Sequence, residues 1–202
     1  MNWLAPFLAY LAVAVGLFQF HSAWGALVGF HFAIILSLSI AKPELPLQIL
    51  FKNSNTKWIL ISVLIGASSG ITLYFLWDGF GFASDLPVQV RALGLNTSGW
   101  LPFIAYFALV NPLVEEYFWR GFLGSNAAHF TVSDFLYSGF HGMILVNKVQ
   151  TGMLIYGLAV LVVAGWFWRQ VARLDRGLLA TVLGHMAADL SILLAIYWKV
   201  SQ

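Results

Sequence analysis

The sequence predicts an all-α fold, a polytopic bundle of membrane-spanning helices, and three observations support this prediction. The 202 residues are 60% hydrophobic, with a mean hydropathy of +0.84. Only 9% of them are charged, whereas a soluble domain would carry roughly 25%. Apolar segments of about 20 residues, the length that crosses a bilayer, recur along the chain. A protein surface with so few charged groups is compatible with the hydrocarbon interior of a membrane.

We predict seven membrane helices, with six and eight as the alternatives. The fifth is short for a span, so we expect it to start earlier, near Ala128, or to be partly buried against its neighbours. The polar segment 78–98 is expected to contain a short interfacial helix. The predicted ranges are about 3–20, 23–41, 58–77, 99–123, 135–146, 152–168 and 178–198.

Composition excludes several classes of function. The chain has no cysteine, and therefore no disulfide, thiolate metal site or cysteine nucleophile. Its net charge of +2 is small and scattered, so we expect no nucleic-acid partner.

The distribution of positive charge predicts the orientation in the membrane. With the N-terminus in the cytoplasm, seven Lys and Arg residues fall on the cytoplasmic side and three on the other. The seven are Lys42, Lys52, Lys57, Arg120, Arg169, Arg173 and Arg176, and the three are Arg91, Lys148 and Lys199. We therefore expect a multi-pass protein with its N-terminus and its site open toward the cytoplasm. The short chain favours a bacterial inner membrane.

Residues 115–120, Glu-Glu-Tyr-Phe-Trp-Arg, place three charges in an apolar stretch. Ionisable groups at membrane depth are costly and generally mark function. Glu116 and Arg120 are four residues apart with the acid first, so we predict an ion pair between them. Glu115 points about 100° away and is less neutralised, so we predict it to be a general base that activates water. The alternative is that both acids only hold helices together through Arg120.

Further polar residues lie in two other predicted helices. His185 and Asp189 share one face of the seventh, and His141 lies in the fifth. Asp189 can orient the imidazole of His185, or it can face the substrate. The two imidazoles could stabilise an oxyanion, or they could bind zinc together with a carboxylate. All these side chains are expected at similar depth, which predicts one shared cavity.

Other polar or small residues are interpreted structurally. Pro112 is expected to kink the fourth helix or to start a new segment, while Asn111 contributes a hydrogen bond or repairs the kink. His31 lies in mid-span of the second helix, and we interpret it as a packing residue. Gly66 and Gly70 predict a close contact of the third helix with a neighbour.

Three motifs follow one another on successive predicted helices. They are Glu-Glu-x-x-x-Arg at 115–120, an aromatic residue (Tyr137) four positions before His141, and His-x-x-x-Asp at 185–189. This pattern resembles the CPBP family (CAAX protease and bacteriocin-processing, Abi/Rce1-type) of intramembrane glutamic endopeptidases. The resemblance covers residues 99–198. Phenylalanine is usual in the family at the position of Tyr137, and asparagine is common at that of Asp189, although aspartate occurs.

We interpret residues 1–202 as a single membrane domain, in which the resemblance implies a catalytic core at 99–198. The N-terminal helices at 1–98 lie outside the resemblance and have no assigned role, and we expect them to shape substrate access. The resemblance implies that Glu115 activates water, that His141 assists, and that His185 with Asp189 stabilises the oxyanion. No cofactor is implied, and zinc at His141 and His185 is the alternative. The implied partners are the lipid bilayer and a membrane-associated protein or peptide whose terminus is cleaved. The catalytic set is thus Glu115, Glu116, His141, His185 and Asp189, with Arg120 as a structural ion pair and Asn111 and Tyr137 in support.

Two other functions compete with the peptidase. A proton-coupled transporter would use the acids and histidines as a proton path, and it predicts polar residues across the whole membrane depth and often inverted repeats. Neither feature is evident in the sequence. A catalytically silent scaffold or immunity protein on the same fold is the third reading, and the intact set of five polar residues argues against it.

Overall fold

The computed structural model describes residues 3–201, which form eight α-helices and no β-strand. Two π-helical turns, Val15–Gln19 and Glu116–Phe122, extend α1 and α5, and two 3-10 turns lie at Leu47–Phe51 and Trp77–Phe80. The all-helical prediction is confirmed. The α-helices are α1 (Leu4–Ala14), α2 (Ala23–Ala41), α3 (Thr56–Phe75), α4 (Leu86–Ala92), α5 (Trp100–Glu115), α6 (Val132–Leu145), α7 (Thr151–Asp175) and α8 (Leu179–Val200).

Seven of these helices coincide with the predicted spans, and α4 is the short helix expected in segment 78–98. Two boundaries differ. α6 begins at Val132 rather than near Ala128, because Thr131 and Asp134 form a capping box there. α7 continues to Asp175, beyond the predicted end at residue 168, because polar residues in its last two turns are buried against other parts of the protein.

The outer surface of the bundle is apolar. Of the described helices, α2, α3, α7 and α8 are long and apolar enough to cross a membrane, and residues 4–19 form a shorter apolar helix. Large hydrophobic side chains such as Leu64, Phe75 and Leu101 are exposed on the outside. These features identify an integral membrane protein built as a helical bundle.

Contacts between loops define two ends of the bundle. At one end, the segment between α2 and α3 accepts a hydrogen bond from Tyr117 and bonds the start of α8 through Leu178 N and Ile49 O. At the other end, the segment that carries α4 bonds the start of α2 and the turn between α6 and α7. Loops that the sequence assigned to one side of the membrane therefore lie at one end of the molecule.

Two of the charges used to predict orientation are not loop charges. Arg120 pairs with Glu116 and Arg169 pairs with Asp134, and all four side chains are buried. These two arginines neutralise buried carboxylates, so they give no information on which side of the membrane their segments face. Five positive charges against three then remain for the orientation argument.

Close packing of α3 on α8 fixes the helix that carries His185. A methyl group added to Gly66 or Gly70 would overlap the backbone of Gly184 or Ser191, respectively. The close contact predicted from Gly66 and Gly70 is therefore confirmed. Because backbone meets backbone, α8 has little freedom to shift or rotate.

α5 runs through Pro112 without interruption, so the expectation that a new segment starts there is wrong. Proline lacks an N–H group, which leaves the carbonyl of Ala108 without its usual helical partner. Three residues after Pro112 the chain passes from α-helix into the wider π-helical turn 116–122. The two adjacent glutamates therefore lie at a change of helix type.

Candidate active site

Glu115 and Glu116 lie at the junction between α5 and the π-helical turn, and both are buried. Their exposed fractions are only 2% and 0%. π-helical turns are rare and frequently occur at functional sites. Two carboxylates at such a junction, enclosed by other helices, require specific partners, and each has a different set.

Glu116 contacts two charged or polar partners and lies at the centre of the network. Its Oε1 lies 3.2 Å from Nη1 of Arg120, so the ion pair expected from the sequence is present. The same oxygen lies 2.8 Å from Nδ1 of His185. On the opposite side of the His185 ring, Nε2 lies 3.4 Å from Oδ1 of Asp189. An imidazole protonated at both nitrogens can donate to both carboxylates.

Glu115 is much less engaged than Glu116. Its Oε1 accepts a hydrogen bond of 2.9 Å from Nδ2 of Asn111. Its Oε2 is buried and has no hydrogen-bond partner among residues 3–201. One oxygen is thus held in place, while the lone pairs of the other are not used by any described protein group.

Asn111 connects three helices at this point. Besides Glu115, its Nδ2 reaches Oδ2 of Asp189 in α8 at 3.2 Å. Its Oδ1 lies 3.1 Å from Nε2 of His31 in α2, and Nδ1 of His31 lies 3.1 Å from the hydroxyl of Tyr106. Sequence reasoning treated His31 as a packing residue and did not consider Tyr106. The sequence did contain one indication of these contacts, because a histidine in the middle of a membrane helix requires hydrogen-bond partners.

Tyr137 packs between the charged groups of the site. The guanidinium carbon of Arg120 lies 3.9 Å from the centre of its ring, a cation–π contact. The ring is also 5.2 Å from that of His141 and 6.2 Å from that of His185. It therefore links α6 to the network on α5 and α8.

His141 is beside the network but is not hydrogen-bonded to it. Its Nδ1 lies 2.9 Å from the carbonyl oxygen of Tyr137, one turn earlier in α6. A carbonyl only accepts, so Nδ1 carries the proton, and in the neutral ring Nε2 bears the lone pair. The structure thus joins Glu115, Glu116, His185 and Asp189 through hydrogen bonds and ion pairs, with His141 adjoining them through Tyr137.

A zinc ion at His141 and His185 does not fit this arrangement. Both ring nitrogens of His185 face carboxylates, so neither presents a free lone pair to a metal. Across residues 3–201, no three His, Asp or Glu side chains are grouped so as to hold a metal ion.

The fold and the site together define a polytopic helical membrane protein that encloses a network of acids, imidazoles and an amide. Residues 97–191 match the family model described as type II CAAX prenyl endopeptidase, Rce1-like, and this match supports the CAAX protease (CPBP) family. No curated protein and no solved structure matches the chain. The matched region contains every network residue from Asn111 to Asp189, whereas His31 lies outside it.

The match supports a CAAX-type intramembrane protease, a class whose substrates are membrane-associated proteins. The apolar helices agree with a location in the lipid bilayer.

Proposed function

We propose that the protein is a glutamate-dependent intramembrane endopeptidase. It hydrolyses a peptide bond near the hydrophobic or lipid-anchored terminus of a membrane-tethered protein or peptide. The observation that carries the proposal is the environment of Glu115, a buried carboxylate with one oxygen held by Asn111 and the other free of partners among residues 3–201. A base for water activation needs a fixed geometry and a lone pair that no protein group already uses.

In the proposed reaction, Glu115 takes a proton from a water molecule bound at Oε2. The water oxygen attacks the carbonyl carbon of the scissile peptide, and the carbonyl oxygen becomes an oxyanion. The proton then passes from Glu115 to the amine nitrogen as the carbon–nitrogen bond breaks. The products are a carboxylic acid and an amine, and Glu115 returns to its starting state.

The two histidines, His141 and His185, have different roles in the proposed mechanism. His141 has the Nε2 lone pair available, and it accepts a hydrogen bond that orients the attacking water. His185, held between Glu116 and Asp189, supplies positive charge on the side where the oxyanion develops. A fixed charge in a site that excludes water stabilises a developing oxyanion more strongly than it would in solution.

The mechanism uses no metal ion or cofactor, because the side chains present supply base, charge and orientation. His185, the central histidine, is hydrogen-bonded to Glu116 at Nδ1 and lies in ion-pair range of Asp189 at Nε2.

The distribution of buried charge favours a site over a proton path. Among residues 3–201, the buried carboxylates and guanidinium groups lie in the half of the bundle that contains the 42–57 loop. A transporter would require such groups across the full depth. The buried charged residues are Glu115, Glu116, Arg120, Asp134, Arg169 and Asp175.

We further propose that residues 1–202 form one membrane domain with a catalytic core at 99–198. Segment 1–98 shapes the access of substrate, since α3 packs on α8 and His31 of α2 reaches the site. In this proposal the site opens toward the cytoplasm of a bacterial cell, as the remaining excess of positive loop charge suggests.

The test is cleavage of membrane-tethered peptides by the protein in liposomes, with and without a chelator. The panel contains prenylated CAAX peptides, hydrophobic C-terminal tails and leader peptides. We expect Glu115→Gln to lower kcat by about 10²- to 10⁴-fold. The matched control is Glu44→Gln, an exposed glutamate in the loop after α2, which should cleave like the wild type.

Other outcomes identify the competing functions. Cleavage by Glu115→Gln at the wild-type rate would overturn the role of Glu115. Activity that is lost on chelation and restored by zinc would replace the metal-free mechanism. Absence of cleavage across the panel, with an unchanged biological effect of Glu115→Gln in cells, would favour the silent scaffold.

A further inference from the structure

Asn111 links the proposed catalytic residues to a helix outside the family match. One amide nitrogen donates to Glu115 and to Asp189, at 2.9 and 3.2 Å, and so joins α5 to α8. The amide oxygen lies 3.1 Å from Nε2 of His31 in α2. Asn111, Glu115 and His31 are buried, with no more than 4% of each exposed. Water therefore cannot readily replace any of these partners.

Hydrogen-bond chemistry fixes the direction of every bond in this chain. Ionised carboxylates only accept, so the NH₂ group of Asn111 faces Glu115 and Asp189. Its carbonyl oxygen then faces His31 and requires a donor, so the proton of the His31 ring is on Nε2. Nδ1 of the neutral ring is consequently an acceptor, and the Tyr106 hydroxyl, 3.1 Å away, donates to it.

We propose that His31 is a positioning residue for the peptidase reaction, and that the hydrogen bond to Tyr106 holds the His31 ring in the orientation in which it acts. This inference rests on the proposed function of Glu115. A proton on Nδ1 would leave the Nε2 lone pair facing the oxygen of Asn111. The amide would then rotate and present its oxygen to the carboxylates, and Glu115 would lose the donor that holds it. Segment 1–98 thus determines the geometry of the base as well as substrate access.

A histidine that only fills space between α2 and α5 would behave differently on substitution. Glutamine can place an N–H donor near the position of His31 Nε2, whereas leucine fills a similar volume without a donor. Equal effects of the two substitutions would indicate packing. Recovery with glutamine alone would indicate that the hydrogen bond to Asn111 is what matters.

The first experiment measures kcat, KM and thermal unfolding for His31→Leu, His31→Gln and Tyr106→Phe in liposomes. We expect His31→Leu to lower kcat by about 10- to 100-fold with little change in KM, since a hydrogen bond to the network around a charged group is lost. His31→Gln should recover most of that loss, and Tyr106→Phe should be intermediate. Tyr156→Phe, at an exposed tyrosine of α7, is the control and should match the wild type.

The kinetic results separate this inference from the proposed function. If the wild type cleaves and Glu115→Gln does not, the proposed function stands. A wild-type kcat for His31→Leu would then overturn the positioning role alone. Equal losses for leucine and glutamine, in parallel with equal losses of thermal stability, would overturn it too.

A second experiment needs no substrate. Nitrogen-15 NMR of histidine-labelled protein in bilayers reports which ring nitrogen carries the proton, and the His31 signals are those absent from His31→Gln. We expect Nε2 to be protonated and Nδ1 to be bare, with the Nδ1 signal shifted in Tyr106→Phe, where its hydrogen bond is lost, and unaffected in Tyr156→Phe. A proton on Nδ1 in the wild type would overturn the proposal, whichever peptides are cleaved.

Discussion

Two arginine–carboxylate pairs are buried in the described part of the bundle, residues 3–201, and they differ in how completely their hydrogen-bonding groups are used. One is Glu116 with Arg120, in the candidate site, and the other is Asp134 with Arg169, between α6 and α7. All four side chains are buried. Because burial is the same for both pairs, the differences between them reflect the hydrogen-bond partners that each side chain has.

The pair between α6 and α7 is fully satisfied. Nε and Nη2 of Arg169 donate to the two oxygens of Asp134 at 2.9 and 2.7 Å, and its nitrogens also donate to three backbone carbonyls of the preceding loop. Asp134 in turn accepts the backbone N–H of Thr131 at 2.8 Å. Every polar group of the pair has a protein partner, so no donor or acceptor is left for a ligand. We interpret the pair as structural.

The pair in the site is incomplete. Within residues 3–201, Oε2 of Glu116 and both terminal nitrogens of Arg120 lack hydrogen bonds of good geometry, although Nη1 lies in ion-pair range of Glu116. Unused buried donors and acceptors cost free energy. The fold tolerates that cost at the place where water and a peptide would supply the missing partners. We infer that the missing partners of the Glu116–Arg120 pair, rather than burial and charge alone, distinguish the proposed site from a structural ion pair.

The largest effect on stability is expected from breaking the satisfied pair. Arg169→Met leaves Asp134 buried without its cation, so we expect the free energy of unfolding to fall by about 3–5 kcal/mol. Chemical unfolding in detergent measures this. The kcat of the fraction that remains folded should be unchanged, because neither side chain touches the proposed reacting atoms.

A double variant, Asp134→Leu with Arg169→Met, is the matched control. It removes both charges together, so part of the lost stability should return. An Arg169→Met variant as stable as Arg91→Met, which alters an exposed arginine of α4, would contradict the structural role of the pair.

Local spacing predicted part of the site, because residues four apart share a helix face. That rule led to the pairs Glu116–Arg120 and His185–Asp189, which the structure contains. It could not reveal the contact of Glu116 with His185, because the rotation of α8 against α5 is set by packing. The close approach of α3 to α8 at Gly66 is part of that packing.

The satisfied pair itself was missed in the sequence. Arg169 follows Trp168, which marked the expected end of a span, and it was therefore counted among loop charges. Thr131-x-x-Asp134 resembles a capping box and could have located the start of α6. Nothing local to either segment showed that the two would meet across 35 residues of sequence. The hydrogen bond from His31 to Asn111 was hidden for the same reason.

Tyr137 packs against the incomplete pair, Glu116 with Arg120. Changing it should lower stability less than Arg169→Met does, and it should also lower activity. Tyr137→Leu removes the ring under the Arg120 guanidinium and should lower the free energy of unfolding by about 2 kcal/mol. It should also lower kcat, since Arg120 positions Glu116 and hence His185. Tyr137→Phe keeps the ring and is expected to stay close to the wild type in both measurements. A loss with phenylalanine as large as that with leucine would show that the hydroxyl, rather than the ring, is required.

The smallest effect is expected at the capping box beside the satisfied pair. Thr131→Ala removes a side-chain cap from α6 and should lower the free energy of unfolding by about 1 kcal/mol. Asp134 keeps its bonds to Arg169, so the helix should start at the same place and present His141 unchanged. Unfolding in detergent and kcat in liposomes, measured together, test this expectation. A fall in kcat beyond the loss of folded protein would mean that the start of α6 is coupled to the site. In that case the separation between a pair that serves the fold and a pair that serves catalysis would not hold.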